Sequence, residues 1–416
     1  MATSADTSFG PGKVAASAAP AVRVRDPRLD FYRGIAMFII LMAHTPGNFF
    51  TSWIPARWGF SDATEMFVFC SGMASAIAFG RTYDRAGWML GTARVGYRVW
   101  QVYWAHIGLF FAILALTIAL TEWGIGTRNY WQQLALHPVL MESERWETWD
   151  TLLGLMTLRY VPNYFDILPM YMVILAMMPV IMLLARVHIG LVALMVIGFW
   201  IMAQSAFWET IGRPDMAWQF GAIPWREDRV WFFNPFGWQL AFFTGFAFMR
   251  GWLPAPPVKA WLIGLALLVV LANIPFSNIG VRELGFEWAR DWRSDYNGLI
   301  NKTDFGILRY TQFLALAYLG YVVAGEGGKR LIATGTGALG AAWNGFVGLV
   351  TKVGQQSLAV FLFSMFFARV MGFMLDVMGR STWNVVLVNL VGATMLIIVA
   401  FAVAWFKGQP WRKPAK

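Results

Sequence analysis

Charge is scarce in this chain and cysteine nearly absent. Lys, Arg, Asp and Glu supply 13% of the 416 residues, against about 25% in an ordinary soluble domain. So few charges cannot cover a water-facing surface. One cysteine, Cys70, rules out an intramolecular disulfide framework. Residues 1–22 lack the apolar core of a signal peptide and read as a disordered cytoplasmic tail rich in Ala, Ser, Gly and Pro. No internal repeat and no boundary of a soluble domain is visible.

Hydrophobicity fills the space. Apolar residues make up 58% of the chain, and its mean hydropathy is +0.53. Long apolar runs stand at 34–43, 107–120, 258–272 and 385–405. About 20 such residues cross the hydrocarbon of a bilayer as a helix. The expected fold is therefore an all-α polytopic membrane bundle of about ten transmembrane helices. They are placed near 34–53, 62–80, 99–121, 163–185, 188–205, 234–250, 258–274, 307–323, 345–373 and 383–406. A membrane domain at 26–406 then lies between tails at 1–25 and 407–416. Many of the 23 Trp residues fall at the ends of these spans, including Trp53, Trp104, Trp123 and Trp252, where indole suits the headgroup zone.

Charge sign fixes the expected orientation. One set of short connections, together with both tails, carries 18 Lys and Arg against 5 acids; the remaining positions carry 15 against 18. The positive-inside rule puts that set, and both termini, in the cytoplasm. A pI near 9.8 then reflects topology rather than a nucleic-acid partner. On the opposite face, loops near 122–162, 206–233 and 275–306 mix Trp with charges of both signs. That composition suits stacking on sugars, and equally suits interfacial amphipathic helices.

An ionisable group within a membrane helix is costly and so points to function. His44 lies about 16 Å beyond Arg33 along the first helix, near the expected bilayer middle, and histidine is suited to proton transfer near neutral pH. A packing histidine bonded to a backbone carbonyl is the alternative. In the second helix Asp62 and Glu65 share a face, and Glu65 lies deeper. Ser71 and Gly72 permit close helix approach. Cys70 beside them reads as a small core residue.

Arg33, ten residues and His44, followed by Glu65-Met-Phe-Val-Phe-Cys-Ser-Gly72, resemble the acyltransferase-3 superfamily. The closer likeness is to its OpgC branch, across nearly all of 26–406. Tyr164-Phe-Asp-Ile-Leu-Pro-Met-Tyr171, Phe233-Asn-Pro-Phe-Gly-Trp-Gln239, Asn301-Lys-Thr-Asp-Phe-Gly-Ile-Leu-Arg-Tyr310 and Gly354-Gln-Gln-Ser-Leu358 carry it. One departure is the arginine pair after the second helix, Arg94 and Arg98, separated by three residues rather than two.

The resemblance implies an inner-membrane enzyme that transfers succinyl from succinyl-CoA to osmoregulated periplasmic glucans. Acyl-CoA would be a donor substrate; no tightly bound cofactor and no metal are expected. His44 would be the general base, with Asp166 or Glu65 orienting its imidazole. Arg81, Arg85, Arg94 and Arg98 would hold the CoA phosphates. Lys302 and Arg309 would meet glucan or the succinyl carboxylate, and Arg33, Asn163 and Gln239 complete the expected substrate-binding set. A narrow pore with room at Gly34, Ser71 and Gly72 would let a pantetheine arm reach His44 from the cytoplasm. Other envelope glycans remain alternative acceptors, a transporter of anionic glycan or lipid is a more distant reading, and a homo-oligomer is compatible with all of them.

Overall fold

The computed structural model describes residues 26–123, 128–141, 147–222, 229–335 and 337–412. The expected tail at 1–25 and the charged aromatic clusters at 142–146 and 223–228 lie outside them. Among the described residues the regular elements are helices, and β pairing is limited to an isolated bridge between Gly221 and Val230. The long helices are α1 (Arg28–His44), α2 (Ala63–Ser75), α3 (Arg81–Glu122), α4 (Ile167–Val187), α5 (Ile189–Met202) and α6 (Pro235–Arg250). They continue as α7 (Ala260–Ala272), α8 (Ile307–Ala324), α9 (Ala338–Gln355), α10 (Ser357–Met378) and α11 (Thr382–Lys407). Five stretches have the length and apolarity to cross a membrane: Ala63–Glu122, which joins α2 to α3, and α4, α8, α10 and α11. The apolar α5 and α7 are shorter.

Three boundaries differ from the sequence expectation, each for a local reason. α1 ends at His44 rather than near 53, because Pro46 drives Thr45 out of the helical region; Thr45 is extended (φ −83°, ψ 109°). The third helix begins at Arg81, well before 99, since an arginine-rich segment can stay helical where it meets water; it bends at Gly87, whose φ of 81° is left-handed. The span expected at 345–373 is two helices, broken at Gln356 (φ −106°, ψ 26°).

Contacts give each helix a direction. Arg33 bonds Ser357 near one end of the bundle, and Arg369 reaches the His44 carbonyl nearer the other, so α1 and α10 run parallel. α11 returns, with Asn389 bonded to Asn48 (2.9 Å) and Lys407 to Gln356 (2.7 Å). α8 finishes beside the start of α1, where Tyr32 donates to the Gly320 carbonyl (2.5 Å) and Arg28 to that of Gly325 (3.2 Å). α9 lies between this end of α8 and the start of α10, so it sets out from and returns to the same end. Its Trp343 indole donates to the Leu331 carbonyl (2.8 Å).

Glycines allow the closest seams. Gly34 faces the Val350 carbonyl and Gly354 that of Asp30, locking α1 on α9; Gly72 faces the Phe242 carbonyl and Gly245 that of Phe69, locking α2 on α6. These seams are closed. Gly34 and Gly72 therefore serve backbone approach rather than the space for a pantetheine arm that the sequence suggested, and Ser71 is buried. Gly72→Val should force α2 from α6 at a cost of about 1–3 kcal/mol, seen as a lower melting temperature in detergent. Gly108→Ala, with open space at the added carbon, should leave melting unchanged.

The loop at 275–306 contains a short amphipathic helix, Glu287–Asp295. Phe276 packs against Trp288 and Trp292 with ring centroids 5.2 and 4.6 Å apart. These rings support each other, in keeping with the interfacial-helix alternative.

Candidate active site

His44 closes α1, and its ring is fixed from within its own helix. Nδ1 lies 2.8 Å from the Ile40 carbonyl. A carbonyl only accepts, so Nδ1 carries the proton and Nε2 of the neutral ring keeps its lone pair. His44 is enclosed by the bundle but retains accessible surface, because it borders a cavity of about 360 Å³ shared with Arg128, Gln133, Tyr164 and Arg369.

The position of His44 along the bundle follows from α10. Arg369, its partner, stands about 18 Å from the first residue of that helix and about 14 Å from the last, at 1.5 Å per residue. His44 thus lies beyond mid-bundle, toward the end where α1 finishes. The expected separation from Arg33 holds because both residues lie on α1.

Tyr164 precedes α4 and has a left-handed backbone (φ 73°), which is uncommon for a bulky residue and is retained where surrounding contacts demand it. The turn lays its ring edge-on to His44, with centroids 5.3 Å apart. The Arg369 guanidinium lies 4.9 Å from the same ring and donates to the His44 carbonyl at 2.5 Å. On the cavity's other side Asp376 accepts from Arg128 (2.8 Å), Tyr130 (3.1 Å) and Arg380 (2.8 Å). Among the described residues Arg128 and Arg380 share this one carboxylate, and Arg369 does not reach it.

The other residues singled out by the sequence fall into separate groups. Glu65 is fully buried and pairs with Arg309 at 2.6 Å, while its second oxygen accepts from the Asp62 amide (2.7 Å) in a capping box that starts α2. Lys302 pairs with Asp62, which completes a four-charge network. Asp166 is buried and accepts from the Phe232 amide (3.3 Å), anchoring the segment that enters α6. Neither Glu65 nor Asp166 bonds His44 among the described residues; the Ile40 carbonyl orients the ring instead. Asn163 sits at the rim, bonded to Arg229 (3.2 Å) and, weakly, to the Gln133 carbonyl (3.4 Å). Gln239 is buried and donates to the Val196 carbonyl (2.7 Å), tying α6 to α5.

At the opposite end Arg33 bonds Ser357, with its Nε unpartnered among the described residues and Cys70, Tyr171 and Arg98 within electrostatic range. Arg94 lies over the Phe79 ring at 5.8 Å and bonds Thr82. Arg98 touches Gln101 at 3.3 Å.

A family model described as OpgC protein matches residues 25–408. The chain belongs to the OpgC family. No curated protein and no solved structure matches it. OpgC membership implies a transferase that modifies osmoregulated periplasmic glucans, carried here by a helical chain with membrane-spanning segments. Sequence reasoning overlooked two members of the OpgC chain's cavity, Arg369 and Arg128. Arg369 was within reach: it lies inside a span expected at 345–373, so the rule that flagged His44 flags it equally. Arg128 lies in a loop among other charges and carried no such signal.

Proposed function

We propose that the chain is an acyl-CoA-dependent O-acyltransferase moving succinyl from cytoplasmic succinyl-CoA to glucan hydroxyls across the bacterial inner membrane. In this reading α1 to α8, α10 and α11 make ten crossings, both termini are cytoplasmic, and the His44 end faces the periplasm. The positive-inside distribution supports that orientation, and the Arg33-to-His44 spacing supports placement in the acyltransferase-3 superfamily.

The observation that carries the reading is a histidine with one nitrogen tied to a carbonyl and the ring bordering a cationic cavity. As general base, His44 Nε2 takes the proton of a glucan hydroxyl as its oxygen attacks the thioester carbonyl. The tetrahedral intermediate then collapses, the carbon–sulfur bond breaks, and the CoA sulfur leaves with that proton. An ester replaces a thioester, and His44 returns to its neutral form. Arg33 and Arg98, about 16 Å nearer the cytoplasm, would hold the charged end of the donor, with Arg94 at the surface.

Sidedness tests this. In vesicles of defined orientation, transfer should require labelled succinyl-CoA on the cytoplasmic face and glucan on the periplasmic face. Efficient transfer with both on the cytoplasmic face would mean modification before export and would overturn the trans-bilayer reading.

A further inference from the structure

Arg369 has a charge that the protein does not answer. It is buried at 7% exposure in α10, and among the described residues no carboxylate pairs with it; its contacts are the His44 carbonyl and the Tyr164 ring face. A guanidinium in such a place is costly unless an anion meets it. Arg128 borders the same cavity, and its carboxylate Asp376 is shared with Arg380 and Tyr130, so the surroundings add positive potential rather than cancel it. Lys302 and Arg309, the cations that the sequence offered for an acyl carboxylate, are instead paired with Asp62 and Glu65.

We propose that Arg369 is the specificity residue of the cavity, binding the free carboxylate of a dicarboxylic acyl group while His44 serves the carbonyl at its other end. This rests on the acyltransferase reading above. The arrangement suits the task. One guanidinium N–H is spent on the His44 carbonyl, which holds the fork beside the base, and the remaining N–H groups can grip a carboxylate in a planar, bidentate fashion. Succinyl is short, so its carboxylate and thioester carbonyl must lie close together, as Arg369 and His44 do. Acetyl offers nothing to this cation and leaves it buried without a counter-ion. The site therefore selects through the desolvated charge as well as through the new contact.

The test compares succinyl-CoA with acetyl-CoA as donor to purified glucan, for wild-type protein, Arg369→Gln and Arg369→Lys. Wild-type protein should prefer succinyl-CoA. Arg369→Gln should lose about ten- to a hundredfold in kcat/KM for succinyl-CoA and little for acetyl-CoA, which reverses or flattens the preference. Arg369→Lys keeps the charge without the fork and should fall between them, and it decides the matter should the glutamine variant fail to give monodisperse protein. Equal losses with both donors would assign Arg369 to the reacting carbonyl or to folding, and would overturn the inference alone. So would a wild-type protein that uses both donors equally. Wild-type protein that transfers neither acyl group would overturn the functional reading, and this inference with it.

Discussion

Replacing His44 by alanine is expected to reduce glucan acylation by about two to four orders of magnitude, the usual contribution of a positioned general base. The change should leave the fold alone. The ring's hydrogen bond is to a carbonyl four residues back on its own helix, so no hydrogen bond between elements is lost and only the edge contact with Tyr164 goes. Membrane abundance and melting temperature of His44→Ala should therefore match wild type, while transfer of labelled succinyl collapses. Near-normal transfer in this variant would remove His44 from the chemistry.

The second large effect is on stability. Glu65 and Arg309 form a buried pair at 2.6 Å with 0% and 11% of their side-chain surface exposed. Breaking such a pair from one side leaves a buried uncompensated charge and costs about 3–5 kcal/mol. Glu65→Gln and Arg309→Met should each give poorly folded, low-yield protein. The double variant Glu65→Leu/Arg309→Met should recover much of that loss, because replacing both members with apolar groups is often neutral or better. It should also retain transfer. A stable but inactive double variant would return Glu65 to a direct role beside His44. Thermal melting and turnover on the same three preparations decide between the two.

The contrast between His44 and Glu65 shows how far sequence reaches here. Hydropathy located most helices to within a few residues, since it follows from solvent partition, which acts on each segment separately. The same logic failed at Thr45–Pro46, where a backbone exclusion overrode an apolar run, and at Gln356, where a break interrupts one. His44 was legible as an ionisable group in an apolar stretch. A bond from its ring to a backbone carbonyl was expected only for a packing histidine, and which carbonyl supplies it was not legible. The sequence offers Asp166 and Glu65 as conspicuous carboxylates, whereas the Ile40 carbonyl is a feature every residue possesses. Glu65 carried a second signal, the Asp-x-x-Glu spacing of a capping box, and that local structural use turned out to be its observed one. The ion pairs Lys302–Asp62 and Arg309–Glu65 span 240 and 244 residues, and nothing local in a single sequence specifies such pairings. Tyr164 belonged to a recognised motif, yet its left-handed turn, which aims the ring, is a tertiary outcome.

The contact between Arg369 and the His44 carbonyl joins positions 325 apart. At roughly 5–20 residues per second, synthesis delivers His44 roughly 15–65 s before Arg369. Through that interval α1 carries its histidine without the wall that α10 supplies. The cavity beside His44 is complete only when the penultimate long helix docks, so a polypeptide released earlier lacks its Arg369 wall.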